Sequence, residues 1–218
     1  MKALIILNYK LYKEAVGKKA LELSRKIDKV KENGYNIVVA PSLLSMKEVI
    51  DKTKLDVFSQ HADHFSLGAN TGRVSVKELK LIGAKGTILN HSERKIPLRY
   101  LSEIISICKK NKLKTVVCSS SLSETKKIAQ LQPDYIAYEP KELIGGNISV
   151  TKAKPEIIVK AVELVESISP KTKVLCGAGV HSKEDLGQAL LLGTKGVLIG
   201  HAVPKAKDPK KFLEGMLL

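Results

Sequence analysis

The sequence predicts an α/β protein that folds as a (β/α)8 barrel, with eight parallel strands and outer helices. Eight short apolar runs recur along the chain, and stretches with helical spacing separate them. The glycine-rich turn of a dinucleotide-binding sheet does not follow the first run. These three observations favour a closed barrel over an open doubly wound sheet.

The predicted strands are short apolar runs without the polar alternation of a half-exposed antiparallel strand. Continuous apolar runs are typical of strands that are buried on both faces of a parallel sheet. The runs lie at 3–7, 37–40, 55–60, 86–90, 114–118, 134–138, 173–176 and 196–199.

Helices are predicted between these strands. Apolar residues recur at helical spacing over 20–30, 101–108 and 158–168. A serine followed three residues later by an acidic residue is a helix-start signal, and it occurs at Ser45, Ser75, Ser121 and Ser182. Asp208 followed by proline predicts a further start. Since no linker interrupts the pattern, residues 1–218 are predicted to form a single domain.

The composition is that of an ordinary soluble protein, with 44% hydrophobic and 27% charged residues. Three scattered cysteines are too few for a disulfide framework or a paired-cysteine metal site, and they suit buried thiols in a reducing compartment. The apolar run near the N-terminus breaks at Asn8, which makes it too short for a signal peptide or a membrane span. A cytoplasmic protein that does not bind membranes is therefore predicted.

The formal net charge of +15 raises the question of nucleic-acid binding. The cationic residues are spread along the whole chain, and no basic block with interleaved aromatic residues occurs. Lysine-rich, solvated helix faces explain the charge more simply, so no nucleic-acid partner is predicted. A basic barrel that binds nucleic acid without catalysis is the alternative from a different functional class.

In a (β/α)8 barrel the active site lies at the carboxyl ends of the strands. Polar side chains and glycine loops follow several predicted strands at that point: Asn8, Lys10, Asn90, His91, Glu139 and the loops at 176–180 and 199–203. Alone, each has a simpler explanation as a surface lysine, a hydrogen-bonded histidine or a plain turn. Glu139 is the strongest single candidate, because a carboxylate next to a buried strand is costly unless it is used.

Such a set predicts proton transfer next to a carbonyl group. A carboxylate removes the proton, while a histidine and a lysine stabilise the negative charge that develops on oxygen. Backbone N–H groups after strands seven and eight commonly bind phosphate in this fold. No metal-ligand spacing or nucleotide-binding loop is present in the sequence. The prediction is an enzyme without cofactor or metal that acts on a small phosphorylated carbonyl compound.

These residues resemble the triosephosphate isomerase family, in its short archaeal form, over nearly the whole chain. The resemblance rests on Asn8-Tyr9-Lys10 and on the stretches 60–72, 90–94, 137–146 and 177–180. It implies a TIM barrel that interconverts dihydroxyacetone phosphate and glyceraldehyde 3-phosphate in glycolysis and gluconeogenesis, without a cofactor.

The resemblance also assigns roles to the central residues. Glu139 corresponds to the catalytic base, His91 to the electrophile and Lys10 to the cation beside the enediolate oxygen, with Asn8 and Tyr9 next to it. A Glu base with a neutral His is the known pattern of this family and does not follow from the spacing. Ser92 and Glu93 match positions behind the site, where Glu93 is expected to orient or neutralise Lys10. Arg94 is expected to pair with a carboxylate of the lid.

The segment 140–147 corresponds to the mobile lid of the family. Pro140 is expected to stiffen its first hinge, and Ile144 and Gly145 to close over the substrate, with the Gly145 N–H on the phosphate. Gly179, Gly200 and His201 correspond to phosphate contacts. The eighth loop departs from the archaeal pattern, because His201 and Ala202 stand where that pattern has Ser and Gly. Backbone groups hold the phosphate there, so we expect the change to be tolerated.

In the family, the loop that contains Thr71 and Gly72 inserts into a neighbouring subunit beside the catalytic lysine. The resemblance therefore implies a homodimer or homotetramer, whereas a plain surface turn is the simpler explanation of this stretch. A second enzymatic alternative is another phosphate-binding barrel, such as an isomerase or synthase of indole precursors. That alternative is expected to lack the combined motifs around Lys10, His91 and Glu139.

Overall fold

The structure is a computed structural model that describes residues 2–32, 34–140, 154–177 and 179–217. Eight parallel strands form a closed barrel in sequence order, and the first strand pairs with the last. The strands are β1 (Ala3–Asn8), β2 (Tyr35–Ala40), β3 (Asp56–Ser59), β4 (Gly86–Leu89), β5 (Lys114–Ser119), β6 (Tyr135–Tyr138), β7 (Lys173–Cys176) and β8 (Gly196–Ile199). All eight predicted strands and the barrel are confirmed.

The described part of the chain contains eight helices. They are α1 (Lys18–Ile27), α2 (Leu43–Lys52), α3 (Val76–Leu81), α4 (Leu98–Lys110), α5 (Leu122–Ala129), α6 (Pro155–Ile168), α7 (Lys183–Leu191) and α8 (Pro209–Leu217). Within the described ranges, no helix has the length and apolar character that crossing a membrane requires.

Most predicted helix starts are confirmed. Ser75, Ser121 and Ser182 occupy the N-cap positions of α3, α5 and α7. Ser121 and Ser182 each accept a hydrogen bond from the backbone N–H three residues on, at 3.2 Å. The Asp208 carboxylate accepts the N–H of Lys211 in the same way at the start of α8.

The predicted start at Ser45 is wrong. α2 begins at Leu43 with Ser42 as its N-cap, so Ser45 lies in the first turn, where it accepts a hydrogen bond from the Ser42 hydroxyl at 3.2 Å. The Ser42 carbonyl already accepts the Ser45 N–H at 2.9 Å, so the first turn forms before the position that the sequence signal indicates.

The core has two apolar layers because side chains alternate along each strand. One cluster fills the barrel, and its buried members come from the strands alone: Leu4, Ile6, Val38, Ala40, Phe58, Ile88, Val116, Cys118, Ala137, Leu175 and Leu198. The other cluster lies between the strands and the helices, and it includes Ile5 and Leu7. The same alternation directs Asn8, at the end of β1, and Glu139, after β6, toward the mouth of the barrel.

The closure between β1 and β8 depends on a glycine. Gly196 has a φ of 147°, and a Cβ at this position would lie 1.9 Å from the carbonyl oxygen of Leu4. A larger residue would therefore push the first and last strands apart at the point where the barrel closes.

Candidate active site

A small pocket of about 60 Å³ opens at the carboxyl ends of the strands. Its lining comes from the loops after β1, β4, β6, β7 and β8 and includes Asn8, Lys10, Tyr12, His91, Glu139, Gly177, Gly179, His181, Gly200 and His201. A groove of about 470 Å³ adjoins it and shares Asn8, Lys10 and His91 with it. The structure thus brings the predicted polar residues of separate strands into one place.

Lys10 is held in an uncommon backbone conformation, with a φ of 46°. Its N–H donates to the Asn8 side chain at 3.0 Å, and its carbonyl accepts from the Gln60 amide at 3.1 Å. Positive φ at a residue other than glycine costs free energy and persists only where neighbouring contacts impose it. These contacts fix the direction in which the lysine side chain leaves the first strand.

The Lys10 ammonium forms an ion pair with Glu93, with 2.7 Å between Nζ and Oε1. Burial disfavours the charge, but the hydrogen bond and negative charge of Glu93 outweigh it, so the pKa of Lys10 is raised. Lys10 is therefore a permanent cation beside the pocket. The expected contact between Glu93 and Lys10 is present.

His91 is buried at the end of β4. Its Nδ1 accepts the backbone N–H of Glu93 at 3.2 Å, so in the neutral ring the proton lies on Nε2. Burial, followed by the charge of Lys10, lowers the pKa of His91 to about 4. The imidazole is thus neutral near pH 7, and its Nε2 lies 3.8 Å from Glu139 Oε1, too far for a direct hydrogen bond.

Glu139 lies directly after β6 and is 5% exposed. Its Oε2 has no hydrogen-bond partner among the described residues. Burial raises the pKa of Glu139 to about 7, although a hydrogen bond with the Cys118 thiol and the charge of Lys10 oppose the shift. The carboxyl group is therefore close to half-ionised at neutral pH, as a general base requires.

The glycine at position 177 makes room for this carboxylate. A Cβ there would lie 2.3 Å from Cγ of Glu139. The backbone N–H of Gly177 also donates to the Tyr138 carbonyl at 3.0 Å, which holds the two loops together. The first residue after β7 therefore allows Glu139 to occupy its position, a role that the sequence analysis did not assign.

A second group of contacts holds the loop after β4 and was also missed from the sequence. Asn90 has a φ of 57°, and its amide donates to the carbonyl of Cys118 and to Glu124, both at 2.9 Å. The Asn90 side-chain oxygen accepts the N–H of Ile96 at 3.0 Å. Glu124 was noted only as part of a helix start. The position of Asn90 directly before His91 was the only signal in the sequence.

Glycines and two histidines line the opposite end of the pocket. Gly179 has a φ of 68°, and Gly200 approaches Lys10 so closely that a Cβ would lie 3.5 Å from its Cε. The ring of His201 lies 5.1 Å from that of His181. The sequence analysis named His201 but not His181.

The structure does not bring Tyr9 into the pocket. Its side chain is fully buried in the outer core, and its hydroxyl contacts the Ser24 hydroxyl at 3.0 Å. Ser92 lies in the loop behind His91, and the Arg94 N–H donates to the His91 carbonyl at 2.9 Å. Ile144, Gly145 and the rest of the predicted lid after Pro140 lie outside the described residues, so the expected pairing of Arg94 with the lid does too.

The geometry suits proton transfer on a small anionic substrate. One pocket is lined by a buried carboxylate, one oxygen of which has no partner in the described part of the chain, by a neutral imidazole that presents an N–H, and by a lysine cation. Within the described residues, no group of three or more His, Cys, Asp or Glu side chains is arranged to hold a metal ion.

Comparison with known proteins shows a match over nearly the whole chain. The family model of triosephosphate isomerase matches residues 3–216. A triosephosphate isomerase of Methanothermus fervidus is 41% identical over 98% of this chain and 97% of that protein. Triosephosphate isomerases of Methanocaldococcus jannaschii and Methanosarcina mazei are 40% and 43% identical, each over 98% of this chain and over 98% and 96% of their own lengths. The chain therefore belongs to the triosephosphate isomerase family.

Proposed function

We propose that this protein interconverts dihydroxyacetone phosphate and glyceraldehyde 3-phosphate, with Glu139 as the base. The observation that carries the proposal is the buried carboxyl group of Glu139, which has a pKa of about 7 and faces a neutral histidine and a lysine cation. No other described carboxylate lines the small pocket. The proposed reaction belongs to glycolysis and gluconeogenesis and requires no cofactor.

In the proposed mechanism, Glu139 removes a proton from C1 of dihydroxyacetone phosphate, and the electron pair moves into a C1–C2 double bond. The carbonyl oxygen at C2 becomes the enediolate oxygen, to which His91 donates its Nε2 proton. The neutral imidazole suits this step, because its N–H is comparable in acidity to the enediol that forms. Proton transfer from the C1 hydroxyl back to His91 and return of the proton from Glu139 to C2 give glyceraldehyde 3-phosphate.

Lys10 stabilises the negative charge that develops on oxygen and attracts the phosphate dianion. The Glu93 ion pair holds the ammonium in place, and Asn8 fixes the backbone that carries it. Backbone N–H groups of Gly179, Gly200 and His201 are proposed to bind the phosphate. We also propose that the lid segment 140–147 closes with Ile144 and Gly145 over the substrate, which excludes water and prevents loss of phosphate from the enediolate.

A coupled assay of glyceraldehyde 3-phosphate isomerisation tests the function. We expect turnover by the wild-type protein and a decrease in kcat of about 10³-fold in Glu139→Gln, the size of effect that removal of a general base produces. The matched control Glu103→Gln removes an exposed carboxylate on α4 and is expected to keep full activity. Equal turnover in the wild type and in Glu139→Gln would refute the proposal.

We propose further that the protein is a homo-oligomer in the cytoplasm. Leu11 and Leu44 are 75% and 100% exposed beside the groove of about 470 Å³ next to Lys10. The loop of Thr71 and Gly72 is exposed as well. Insertion of this loop from a second copy into the groove would cover the exposed leucines and shield Lys10 from water.

Sedimentation at micromolar concentrations tests the oligomer. We expect a dimer or tetramer for the wild type and a shift toward monomer in Leu44→Lys, because a buried unpaired charge opposes association. Leu191→Lys changes another leucine, 82% exposed at the end of α7, and is expected to leave the assembly intact. A wild-type monomer throughout this concentration range would contradict the proposal.

A further inference from the structure

Glu124 connects the loop after β4 to the loop after β5, although it lies outside the lining of the small pocket. Its Oε1 accepts the Asn90 amide at 2.9 Å and the Lys95 ammonium at 2.8 Å. Its Oε2 accepts the backbone N–H of Ser120 at 2.7 Å and the Ser120 hydroxyl at 2.9 Å. One carboxylate therefore holds donors from two neighbouring loops.

The start of a helix is the ordinary explanation for an acidic residue at this position, but it does not account for these contacts. In a capping box, the carboxylate accepts the N–H of the N-cap residue itself. Ser121 is the N-cap of α5, whereas the Glu124 carboxylate accepts from Ser120, the residue before it, and from the loop after β4. Glu78 occupies the same position of α3 and is exposed. The two acidic residues thus offer a matched comparison between a helix start and a connection of loops.

The Glu124 carboxylate is ionised throughout the neutral pH range. Burial disfavours its charge, but hydrogen bonds from Lys95, Ser120 and Asn90 outweigh burial and lower the pKa of Glu124 to about 2. Hydrogen bonds to an ionised acceptor are stronger than those between neutral groups. The connection between the two loops is therefore kept across the pH range of the assays.

Asn90 transmits this connection to His91, the next residue in the chain. Its amide donates to Glu124 and to the Cys118 carbonyl, which uses both N–H groups. The amide oxygen accepts the N–H of Ile96 at 3.0 Å. With a φ of 57°, Asn90 holds a backbone conformation that persists only where neighbouring contacts impose it. The side-chain contacts of Asn90 therefore set the direction in which the backbone reaches His91.

The end of β5 also holds Glu139, on its other side. β5 pairs with β4 and with β6, so it lies between the strands that carry the histidine and the glutamate. The Glu139 N–H donates to the Ser119 carbonyl at 2.8 Å, and the Cys118 thiol forms a hydrogen bond with the Glu139 carboxyl group. The same strand end is thus the common support of His91 and Glu139, whose Nε2 and Oε1 atoms are 3.8 Å apart.

We propose that Glu124 is a positioning residue, which acts through Asn90 and sets the place of His91 relative to Glu139. The inference deepens the proposed isomerase function and depends on it for the reaction that the two groups perform. Without the carboxylate, the Asn90 amide and the Ser120 N–H lose an acceptor, and the loop after β4 is free to shift. A displacement of about 1 Å at a catalytic group lowers the rate on the order of 10²-fold.

The first experiment measures kcat and KM for glyceraldehyde 3-phosphate in the wild type, Glu124→Ala and Asn90→Gly. Glycine adopts positive φ without strain, so Asn90→Gly keeps the backbone conformation and removes only the side-chain connection. We expect kcat to fall about ten- to a hundredfold in both variants. The KM should stay within about twofold of the wild-type value, because Lys10 and the phosphate loops are unchanged.

Glu78→Ala is the matched control, since it removes an acidic residue from the same position of another helix. Its kcat should stay within about twofold of the wild type. Glu124→Gln keeps the shape of the side chain and one acceptor oxygen, so we expect a smaller decrease in kcat than in Glu124→Ala. A wild-type kcat in Glu124→Ala or, if that variant does not fold, in Glu124→Gln would overturn the proposal, and so would an increase in KM alone.

A double-variant cycle shows whether Glu124 acts through His91. The histidine is absent from His91→Gln, so adding Glu124→Ala to this variant should lower kcat by less than about twofold further. A purely structural role would lower kcat by the same factor in both backgrounds. A further decrease as large as that in the wild-type background would therefore overturn the proposal.

NMR spectroscopy of nitrogen-labelled histidine rings does not depend on turnover. The signals of His91 are assigned from their loss in His91→Gln, and we expect them to shift in Glu124→Ala but not in Glu78→Ala. The ring of His64, which stacks on Tyr100 with 4.3 Å between the ring centroids, is the internal reference. Unshifted His91 signals in Glu124→Ala would overturn the proposal. A wild-type protein that does not isomerise glyceraldehyde 3-phosphate, with a variant that shows this shift, would refute the isomerase function and leave the positioning of His91 standing.

Discussion

The polar groups at the two ends of the barrel differ in how completely they are hydrogen-bonded. At the amino end, Asp134 accepts hydrogen bonds from the Lys114 side chain and from the backbone and hydroxyl of Thr115, at 2.7 to 3.2 Å. The Thr172 hydroxyl donates to the Pro133 carbonyl at 2.7 Å. At the carboxyl end, Glu139 is more deeply buried, yet one of its oxygens has no described partner.

The contrast indicates that stability and catalysis depend on residues at different ends of the same barrel. A buried polar group that is fully hydrogen-bonded holds the structure together, whereas one that lacks a partner destabilises the protein and is available to a ligand. The amino end connects neighbouring strands, so its side chains are predicted to matter for stability. At the carboxyl end an oxygen of Glu139 has no partner among the described residues, so this side chain is predicted to matter for turnover.

The largest expected effect of this contrast is at Glu139. In Glu139→Gln, kcat falls about 10³-fold while the midpoint of thermal unfolding at pH 8 stays equal or rises. The pKa of Glu139 is raised to about 7 in the folded protein, so the stability that this shift contributes is present below the ordinary pKa and is lost as the pH rises through 7. The ionised carboxylate thus lowers stability at pH 8, and glutamine removes that cost. A clear decrease in the unfolding midpoint would show that Glu139 supports the structure.

The second effect concerns the ion pair that positions Lys10. Glu93→Gln keeps the shape of the side chain but removes the charge, and kcat/KM is expected to fall about ten- to a hundredfold as the ammonium loses its position. Glu48→Gln is the matched control, since it breaks an exposed ion pair with Lys52 on α2. Steady-state kinetics give the kcat/KM of both variants, and we compare each value with that of the wild type. Equal losses of activity would mean that net charge, and not the position of Lys10, causes the effect.

The third prediction is the pH dependence of turnover. Glu139 must be ionised to accept a proton, so kcat/KM is expected to fall about tenfold per pH unit below a pKa near 7. His91 has a pKa of about 4 and stays neutral over this range, so it adds no further loss above pH 5. Initial rates between pH 5 and 9 measure the profile. Activity that is constant down to pH 5 would contradict the assignment of Glu139 as the base.

The smallest expected effect on activity is at the amino end. Asp134→Asn removes the charge that holds β5 and β6 together, and it is expected to lower the free energy of unfolding by about 1–3 kcal/mol. The kcat should stay within about twofold of the wild type, because the change lies at the end of the barrel opposite the pocket. Asp51→Asn, at an exposed ion pair on α2, is the control. Denaturant unfolding measures the free energy of unfolding, and the coupled assay measures kcat.

The strands could be predicted from the sequence because burial on both faces leaves continuous apolar runs. The lysine, histidine and glutamate of the pocket were also identified, since polar residues that directly follow such runs meet at one end of a barrel. Ser45 was misassigned because Glu48 follows it three residues later, whereas the actual N-cap, Ser42, has a serine and no acidic residue at that spacing.

Other features depended on distances across the fold. No local pattern indicates that Cys118 contacts Glu139, that Asn90 bonds Glu124, or that the two histidines of the seventh and eighth loops come together. Each of these pairs joins residues from different βα units. Sequence spacing alone does not place such partners, so their contacts become visible only in the structure.

The closure of β8 onto β1 also has a consequence for protein synthesis. Leu7 pairs with Ile199, and the next residue, Gly200, lines the same pocket as Lys10 although it lies near the other end of the chain. A nascent polypeptide therefore carries Lys10, His91 and Glu139 long before the wall that completes their pocket has emerged from the ribosome. The protein can become active only after the last strand has been synthesised. The onset of activity during translation therefore indicates that the barrel has closed.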